Sequence, residues 1–256
     1  MRTSEIFKNW LHPLMSLGGI EAYYTSRGDF VEVDESYSGF NLCHYTGDSQ
    51  DKVVSCRKIL CETLGIEDSC LLVPCQTHST NVLLVDNLPL ENGCLDNIDA
   101  LVTNLEGVVV GVSTADCVPV VMVDEYAHVV GVAHAGWRGA VNGVVENMLH
   151  VMMGIGAEPS CIKMVIGPSI CVDCFEVGEE VAEQFPEDCV ERHGGWSKPH
   201  VNLQRYIVQK MLKEGVMECN VSDFRKNMCT KCHPERYFSA RALGVKSGRI
   251  FTFVKT

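Results

Sequence analysis

Several features that would assign a protein class at once are absent from this chain. No apolar run is long enough to span a bilayer. Lysine and arginine form no basic run, and the formal net charge of −12 opposes the phosphate backbone that dominates nucleic-acid affinity. No G-x-G-x-x-G sequence opens a helix after the first strand, so dinucleotide binding has little support. We therefore expect a small-molecule ligand, with no membrane, nucleic-acid or obligate protein partner.

Cysteine, by contrast, is abundant, with 14 residues in a chain of 256. These cysteines are scattered through a chain much longer than a small disulfide-rich secreted domain. Residues 1–5 also lack the charged and then apolar pattern of a signal sequence. We therefore expect a cytoplasmic protein with free thiols, most of which are small buried hydrophobic residues such as Cys56 and Cys61.

The pattern of apolar residues predicts a mixture of short strands and helices. Strands are expected at residues 20–25, 29–34, 70–74, 82–85, 107–113, 118–123, 128–133, 161–166 and 249–254. Helices are expected at residues 51–64, 139–153, 177–185 and 202–214. Because the two do not alternate strictly, the pattern favours an α/β sandwich with a mixed sheet over a Rossmann fold. No repeat or linker divides the sequence, so we expect a single domain over residues 1–256.

Three short segments, each a turn after an apolar strand, carry two histidines and a cysteine. They are Gln76-Thr77-His78, Ala115-Asp116-Cys117 and His134-Ala135-Gly136-Trp137-Arg138-Gly139. Each ligand considered alone has a structural alternative, as a core histidine or a buried thiol. Together, two imidazoles and a thiolate suit Zn²⁺ or copper, and three protein ligands leave a fourth position for water or substrate. The sequence therefore predicts one metal site at His78, Cys117 and His134.

An anion site is predicted beside these ligands. The turn after His134 precedes a helix, whose free N–H groups and positive dipole end attract anions. Arg138 in this turn is able to add a bidentate contact, although a solvated surface arginine is an equal alternative. Arg27 and Asn41 are weaker candidates for the same anion or for a sugar hydroxyl.

Two C-x-x-C pairs, Cys171/Cys174 and Cys229/Cys232, have two interpretations. They are able to form a Cys₄ zinc site, but they lie about fifty residues apart and lack the spacing of common zinc modules. The alternative is a set of ordinary core or surface thiols. Cys229-Thr230-Lys231-Cys232-His233 also matches a haem attachment pattern, which is not expected without an export signal.

Across nearly its whole length the chain resembles the laccase-domain family, once called multicopper polyphenol oxidoreductases and now largely described as purine nucleoside phosphorylases. The matching segments are Asn41-Leu42 with Gly47-Asp48, Gln76-Thr77-His78, Asp99-Ala100-Leu101-Val102-Thr103, Ala115-Asp116-Cys117-Val118-Pro119, His134 to Gly139, Gly167-Pro168-Ser169-Ile170, Cys174-Phe175-Glu176-Val177-Gly178 and Tyr237-Phe238-Ser239-Ala240-Arg241. The chain departs from the family pattern at Arg27-Gly28-Asp29, at Cys43-His44-Tyr45 and after Arg241, positions that concern substrate contacts and leave the metal ligands intact.

The resemblance implies a four-layer α/β/β/α sandwich similar to the toxin-type cysteine hydrolase fold, with zinc or copper at His78, Cys117 and His134. It also implies phosphorolysis of adenosine, inosine and methylthioadenosine, and deamination of adenosine. The same family has been named for phenol oxidation and for editing peptidoglycan precursors. Expected substrate-binding residues are Arg27, Asn41, Gln76 and Arg138.

Our leading hypothesis is a metal-dependent purine nucleoside enzyme whose substrates are a purine nucleoside and phosphate. Cys117, His134 and Asp116 are its expected catalytic residues, with Asp116 as acid/base or as an orienting group. One alternative is a cysteine hydrolase or a peptidoglycan-precursor editing enzyme that uses Cys117 as nucleophile and His134 as base. A second alternative is a non-enzymatic metal-binding module. A true multicopper oxidase is disfavoured, because the nine histidines form no His-x-His pair.

Overall fold

The computed structural model describes residues 7–29, 31–222 and 228–256. Its strands are β1 (Leu11–Leu17), β2 (Ile20–Thr25), β3 (Leu71–Leu72), β4 (Val82–Val85), β5 (Ala100–Thr103), β6 (Val109–Thr114), β7 (Val118–Asp124), β8 (Val129–Ala135), β9 (Lys163–Ile166), β10 (Val190–Glu191), β11 (His200–Val201), β12 (Val221–Ser222) and β13 (Ile250–Lys255). Its α-helices are α1 (Gln50–Leu64), α2 (Trp137–Asn142), α3 (Val144–Gly154), α4 (Glu179–Ala182), α5 (Leu203–Lys213) and α6 (Ala240–Leu243). Among the described residues, none of these helices is both long and apolar enough to cross a membrane.

Within the described ranges, most strands belong to two mixed sheets. One has the order β1-β2-β13-β6-β3, and the other has the order β12-β9-β7-β8-β5-β4. Most neighbours are antiparallel, whereas the β3/β6, β4/β5 and β9/β12 pairs are parallel. Strands β10 and β11 form a separate two-stranded ribbon. The mixed α/β architecture that the sequence predicts is confirmed.

The apolar core lies in three layers that the two sheets separate. Val110 and Val112 of β6 pack with Val121 and Val132 of the second sheet, so the two sheets face one another. Because side chains alternate along a strand, the opposite face of each sheet needs its own cover. Helix α1 covers the five-stranded sheet, and α3 with α5 cover the six-stranded sheet. The result is the expected four-layer α/β/β/α sandwich.

Three local expectations are corrected. Helix 139–153 is two helices, because Gly143 has a φ of 99° and ends α2 in the left-handed region. Strand 70–74 is confined to β3, and helix 177–185 to α4. Strands β1 and β5 are additional elements that the apolar pattern did not predict.

The expected strand at 29–34 is also corrected where it can be compared. Phe30 lies outside the described residues, and residues 31–34 form a loop and turn. The carbonyls of Glu32 and Val33 accept hydrogen bonds from the Arg27 guanidinium. These carbonyls are directed at a buried cation, so they are not paired with a neighbouring strand.

Candidate functional site

His78, Cys117 and His134 converge although they come from three separate connections. His78 follows β3, Cys117 lies between β6 and β7, and His134 lies near the end of β8. Their ligand atoms all lie within 4.8 Å of one another. The Cys117 Sγ atom lies 3.7 Å from His78 Nε2, and the two imidazole centroids are 4.7 Å apart. His78 is exposed and His134 is buried, so the group spans the boundary between core and solvent.

The antiparallel pairing of β7 with β8 positions two of these side chains. Val118 is opposite Ala135 and Pro119 is opposite His134, so Cys117 and Gly136 meet at the same end of the pair. A Cβ atom on Gly136 would lie 2.6 Å from His78 Cδ2 and 3.0 Å from Cys117 Sγ. A side chain at position 136 would therefore displace the ligand group, which explains the glycine there.

Asp99 is the buried anchor of the site. Its carboxylate accepts hydrogen bonds from the backbone N–H groups of Thr77, His78 and Ser79, and from the Ser79 hydroxyl. The same carboxylate lies 2.7 Å from Nδ1 of His134. Because Asp99 engages Nδ1, the free lone pair of a neutral His134 is on Nε2. One side chain thus fixes both the His78 loop and the orientation of His134, a role that sequence reasoning did not assign.

The charges of these groups reinforce one another. Burial raises the pKa of Asp99, but hydrogen bonds from His134 and Ser79 outweigh burial and lower this pKa to about 2. Burial also raises the pKa of Cys117, yet the charge and hydrogen bonds of His134, together with those of His78, lower it to about 6. In His134, burial lowers the pKa, whereas Cys117 and Asp99 raise it to about 9. The site thus favours a thiolate, the form of cysteine that binds metals and attacks electrophiles.

Asp116, the expected catalytic carboxylate, is held in place beside Cys117. Its φ of 86° lies in the left-handed region, and His78 has a φ of 61°. Non-glycine residues adopt such angles where the surrounding structure imposes them. The Asp116 carboxylate accepts hydrogen bonds of 2.6 Å from the Thr230 hydroxyl and from the Arg241 backbone N–H. Both oxygens are therefore engaged, which suits an orienting role.

The ligand group opens into a cavity of about 690 Å³. Its lining residues are Tyr45, Thr46, Gln76, His78, Ser113, Ala115, Asp116, Cys117, His134, Trp137, Ile170, Phe175, Ala240, Arg241, Val245, Lys246 and Arg249. Three aromatic side chains, Tyr45, Trp137 and Phe175, are available to contact a flat apolar ring. The cavity is large enough for a nucleoside-sized ligand.

Three cations, Arg241, Lys246 and Arg249, also line this cavity. Among the described residues, none of the three forms a salt bridge with a carboxylate. Arg241 donates to the Glu176 carbonyl, and its guanidinium lies over the Phe175 ring. Arg249 donates to the carbonyls of Val245, Ser247 and Gly248, which leaves part of its guanidinium for a ligand. Cations that face a cavity without an acidic partner favour an anionic ligand. We define Arg241, Lys246 and Arg249 as the cationic wall.

Of the predicted substrate-binding residues, Gln76 lies in the cavity wall. Its amide donates to the Ser113 carbonyl at 2.8 Å and accepts from the Ser113 N–H at 2.7 Å, which braces the end of β6. Arg138 is exposed and stacks on the Trp137 ring, 4.4 Å from its centroid, outside the cavity lining. Arg138 therefore lies outside the cavity, whereas the cationic wall lines it.

Arg27 and Asn41, predicted as substrate-binding residues, are both buried and hydrogen-bonded within the protein. Arg27 is fully buried, and its five N–H groups donate to the carbonyls of Glu32, Val33, Glu35, Ser38 and Pro234. Asn41 is also fully buried; its amide donates to Asp48 and accepts from the N–H groups of Cys43 and Arg249. Arg27 therefore has no donor left for a ligand, and the Asn41 amide is held by three partners within the protein.

Sequence reasoning missed the cationic wall and the role of Asp99. Lys246 and Arg249 follow α6 more than a hundred residues after His134, in a segment without a recognisable motif. The available signals were indirect: Asp99 and Arg241 occur in segments that carry the family resemblance. Asp99 and the cationic wall belong to the site because they are close to it in space, which the sequence does not show.

The donor set is consistent with a catalytic transition metal. Two imidazoles and one thiolate match the soft and borderline donors that Zn²⁺ and copper prefer. The hydrogen bond from His134 to Asp99 is the outer-shell support typical of metal-bound histidines. The residues present therefore fit Zn²⁺ or copper, with His78, Cys117 and His134 as ligands.

Residues 22–256 match the family described as multi-copper polyphenol oxidoreductase laccase, and the chain belongs to this family. It is 41% identical over 249 residues to a protein named adenosine deaminase RL5, from an unknown prokaryotic organism, with 93% of this chain and 94% of that protein covered. It is 34% identical over 252 residues to a purine nucleoside phosphorylase of Bacteroides thetaiotaomicron, covering 93% of this chain and 92% of the other.

The fold is also that of known structures. YlmD from Geobacillus stearothermophilus superposes with a TM-score of 0.84 at 25% sequence identity, with 98% of each chain covered. An alignment over this length includes both sheets and the helices that cover them. The expected family and fold are therefore confirmed together.

Proposed function

We propose that this protein is a metal-dependent purine nucleoside enzyme. Its reaction with phosphate would convert adenosine, inosine and S-methyl-5′-thioadenosine into the free base and the corresponding ribose 1-phosphate. The same site would deaminate adenosine. The observation that carries this proposal is the opening of the His/Cys/His group into a cavity that also holds the cationic wall. The names of the two relatives support the same class of substrate.

His78, Cys117 and His134 would hold the metal. A bound Zn²⁺ or copper would supply Lewis-acid chemistry, which polarises an oxygen atom of phosphate, water or substrate. Asp99 keeps His134 in one orientation, and Gly136 leaves room for the ligand group. Asp99 and Gly136 would thus set the positions of the metal ligands without contacting the reactants.

In phosphorolysis the cationic wall would bind the phosphate, and the aromatic residues of the cavity would contact the purine. A phosphate oxygen forms a bond to the ribose anomeric carbon while the glycosidic C–N bond breaks. The bonding electron pair leaves with the purine, which takes up a proton. Arg241, Lys246 and Arg249 stabilise the phosphate charge where it approaches the ribose.

In deamination, water adds to the purine ring at the amino-bearing carbon, and ammonia leaves. Asp116 lies in the cavity wall next to Cys117, where it is placed to orient water or the purine edge. Its two hydrogen bonds, from Thr230 and Arg241, fix the carboxylate in that position. We assign Asp116 the orienting role in this step.

The products identify the reaction. The purified chain, loaded with Zn²⁺, is incubated with inosine with and without phosphate, and the products are separated by chromatography. The proposal predicts hypoxanthine and ribose 1-phosphate, with formation that requires phosphate. Adenosine should give adenine with phosphate and inosine without it. If no purine nucleoside is converted under any of these conditions, the proposal is wrong and a binding or peptidoglycan-editing role is favoured.

A cysteine hydrolase is a second candidate, and one specific observation favours it. Cys117, His134 and Asp99 form a nucleophile, base and carboxylate series, with 2.7 Å between the last two side chains. The lowered pKa of Cys117, about 6, suits a nucleophilic thiolate. Such a mechanism needs no metal, so a metal-stripped chain would keep full activity. Loss of activity on chelation, with recovery on addition of Zn²⁺ or Cu²⁺, would exclude it.

A further inference from the structure

Outside the cavity, the two C-x-x-C pairs form a second compact group. After β9, Cys171 precedes a short 3₁₀ turn (Val172–Cys174) that ends at Cys174, and Cys229 and Cys232 lie close to α6 in the chain. Their four sulfur atoms all lie within 4.8 Å of one another. Cys232 Sγ lies 3.5 Å from Cys174 Sγ and 4.0 Å from Cys171 Sγ. The fifty-residue separation in sequence is therefore bridged by the fold.

A backbone pairing brings the two segments together. Ser169 and Cys229 form an isolated parallel bridge, with Ser169 N–H donating to the Met228 carbonyl at 3.2 Å and Thr230 N–H donating to the Ser169 carbonyl at 3.1 Å. The backbone N–H of Cys171 also points at Cys229 Sγ, 3.3 Å away. Backbone N–H donors to sulfur stabilise a thiolate. These backbone hydrogen bonds therefore preorganise the four cysteines for metal binding.

The sulfur spacing matches a tetrahedral metal. With zinc–sulfur bonds of about 2.3 Å, the sulfurs of a regular tetrahedron are about 3.8 Å apart. A disulfide would bring two of the sulfurs to about 2.05 Å and leave the other two unpaired. All 14 cysteines are free thiols in this structure. Cys229 is fully buried and Cys171 is 8% exposed, so the group is partly enclosed by protein.

We propose that Cys171, Cys174, Cys229 and Cys232 bind one Zn²⁺ in a closed, structural, all-thiolate site. Four protein ligands saturate tetrahedral zinc and leave no position for a substrate. On binding, each cysteine that is still a thiol releases its proton, and no electron is transferred. This zinc is distinct from the metal proposed at His78, Cys117 and His134, and its existence does not depend on the nucleoside reaction.

This zinc would stabilise the loop that carries Cys117, through hydrogen bonds to Asp116. The Ile170 N–H, next to Cys171, donates to the Asp116 carbonyl at 2.9 Å. The Thr230 hydroxyl, next to Cys229, donates to the Asp116 carboxylate at 2.6 Å. Both cysteine segments therefore form hydrogen bonds with Asp116, the residue that precedes Cys117. We infer that zinc at the four-cysteine group fixes the position of Asp116 and, through it, that of the Cys117 loop.

The first test isolates the new site within the full chain. In the variant His78→Ala/Cys117→Ser, the His/Cys/His group is disabled while the four cysteines remain. After Zn²⁺ loading and removal of free metal, X-ray absorption should show one zinc per chain with four sulfur neighbours at about 2.3 Å. A zinc shell that contains nitrogen or oxygen, or a variant that retains no zinc, would overturn the proposal.

The second test removes the new site and compares matched cysteine variants. Cys174→Ser/Cys232→Ser should bind one zinc fewer per chain than the wild type, with a Tm lower by about 10 °C or more. The control Cys94→Ser/Cys219→Ser changes two cysteines outside both groups and should keep the wild-type zinc content and Tm. Equal zinc content in the two double variants would contradict the proposal.

A third measurement keeps the proposal testable if the double variant fails to fold. The wild-type chain is reconstituted with Co²⁺, denatured without reductant and alkylated before mass analysis. We expect thiolate-to-cobalt absorption of the strength given by five sulfurs, four from this group and one from Cys117, followed by alkylation of all 14 cysteines. A disulfide within the group would leave two or four cysteines unmodified and would overturn the zinc site.

Discussion

The two proposed metal-binding groups of this chain differ in how many donors the protein supplies. His78, Cys117 and His134 offer three donors at the edge of a cavity, whereas the four-cysteine group offers four and has no free position. Three donors leave zinc reactive, and four make it a structural crosslink. We propose that the first group is the catalytic site and that the second stabilises its surroundings. Asp116 precedes Cys117 of the first group and accepts hydrogen bonds from both segments of the second, at Ile170 and Thr230.

Removal of one sulfur from each group should give the largest contrast. Cys117→Ser should lower nucleoside turnover by about a thousandfold or more, beyond the ~10–100-fold that loss of an outer-shell partner costs, with little change in Tm. Cys174→Ser should lower the Tm by several degrees and leave measurable turnover. Steady-state kinetics and thermal unfolding on both variants check the contrast. If Cys174→Ser abolished turnover while its Tm stayed unchanged, the division of roles would be wrong.

We call the His/Cys/His group the open site and the four-cysteine group the closed site. A methyl group at position 136 should weaken metal binding at the open site and leave the closed site unchanged. Gly136→Ala places a Cβ atom 2.6 Å from His78 and 3.0 Å from Cys117, so the ligands must separate. We expect zinc affinity at the open site to fall by about a hundredfold, measured by chelator competition. Gly154→Ala is the control, since a Cβ there meets nothing within 4 Å. Wild-type zinc affinity in Gly136→Ala would refute the steric argument.

Asp99→Asn should weaken the open site by loss of charge at nearly constant volume. Metal affinity should fall about tenfold or more, because the carboxylate supports His134 and the His78 loop. Stability should fall by about 1–3 kcal/mol at neutral pH.

The pH dependence of that loss tests its origin. The pKa of Asp99 in the folded chain, about 2, lies below its ordinary value of 3.8. Its stabilising contribution is therefore complete above about pH 4 and disappears as the pH falls through 2. Denaturant unfolding of wild type and Asp99→Asn should converge over this interval. A stability difference that does not change between pH 6 and pH 3 would point to packing instead of charge.

The smallest expected effect concerns two surface cations. Lys246→Ala should raise the KM for phosphate by about three- to tenfold, the effect of one charge-assisted contact, and leave kcat and zinc content nearly constant. Arg138→Ala should change none of these values, because Arg138 stacks on Trp137 away from the cavity. A larger effect from Arg138 than from Lys246 would restore the anion site predicted from the sequence.

Sequence patterns predicted what depends on neighbours along the chain. The valine-rich runs mark β6, β7 and β8, and turns after strands placed His78, Cys117 and His134 at strand ends. Strand β1 escaped prediction because Pro13 interrupts it, which is tolerated at this sheet edge next to a bulge. Because of this proline, the sequence of β1 gives only a weak strand signal.

Sequence patterns do not show in which direction a loop side chain points. Arg27 and Asn41 lie in polar, glycine-containing loops, as ligand-binding residues often do, but their side chains turn inward to backbone carbonyls and amides. The cationic wall and the four-cysteine group depend on contacts between distant segments. No spacing rule encodes these contacts, so they emerge when the two sheets and their loops are assembled.

We propose that a metal at His78, Cys117 and His134 performs the chemistry. The most direct measurement is inosine phosphorolysis by the metal-stripped chain as Zn²⁺ is added back, with bound zinc counted at each step. Turnover should be absent while only the four-cysteine group is filled, and should rise as the second zinc binds. Full turnover in the stripped chain, unchanged by added Zn²⁺ or Cu²⁺, would contradict the account and favour Cys117 as a nucleophile.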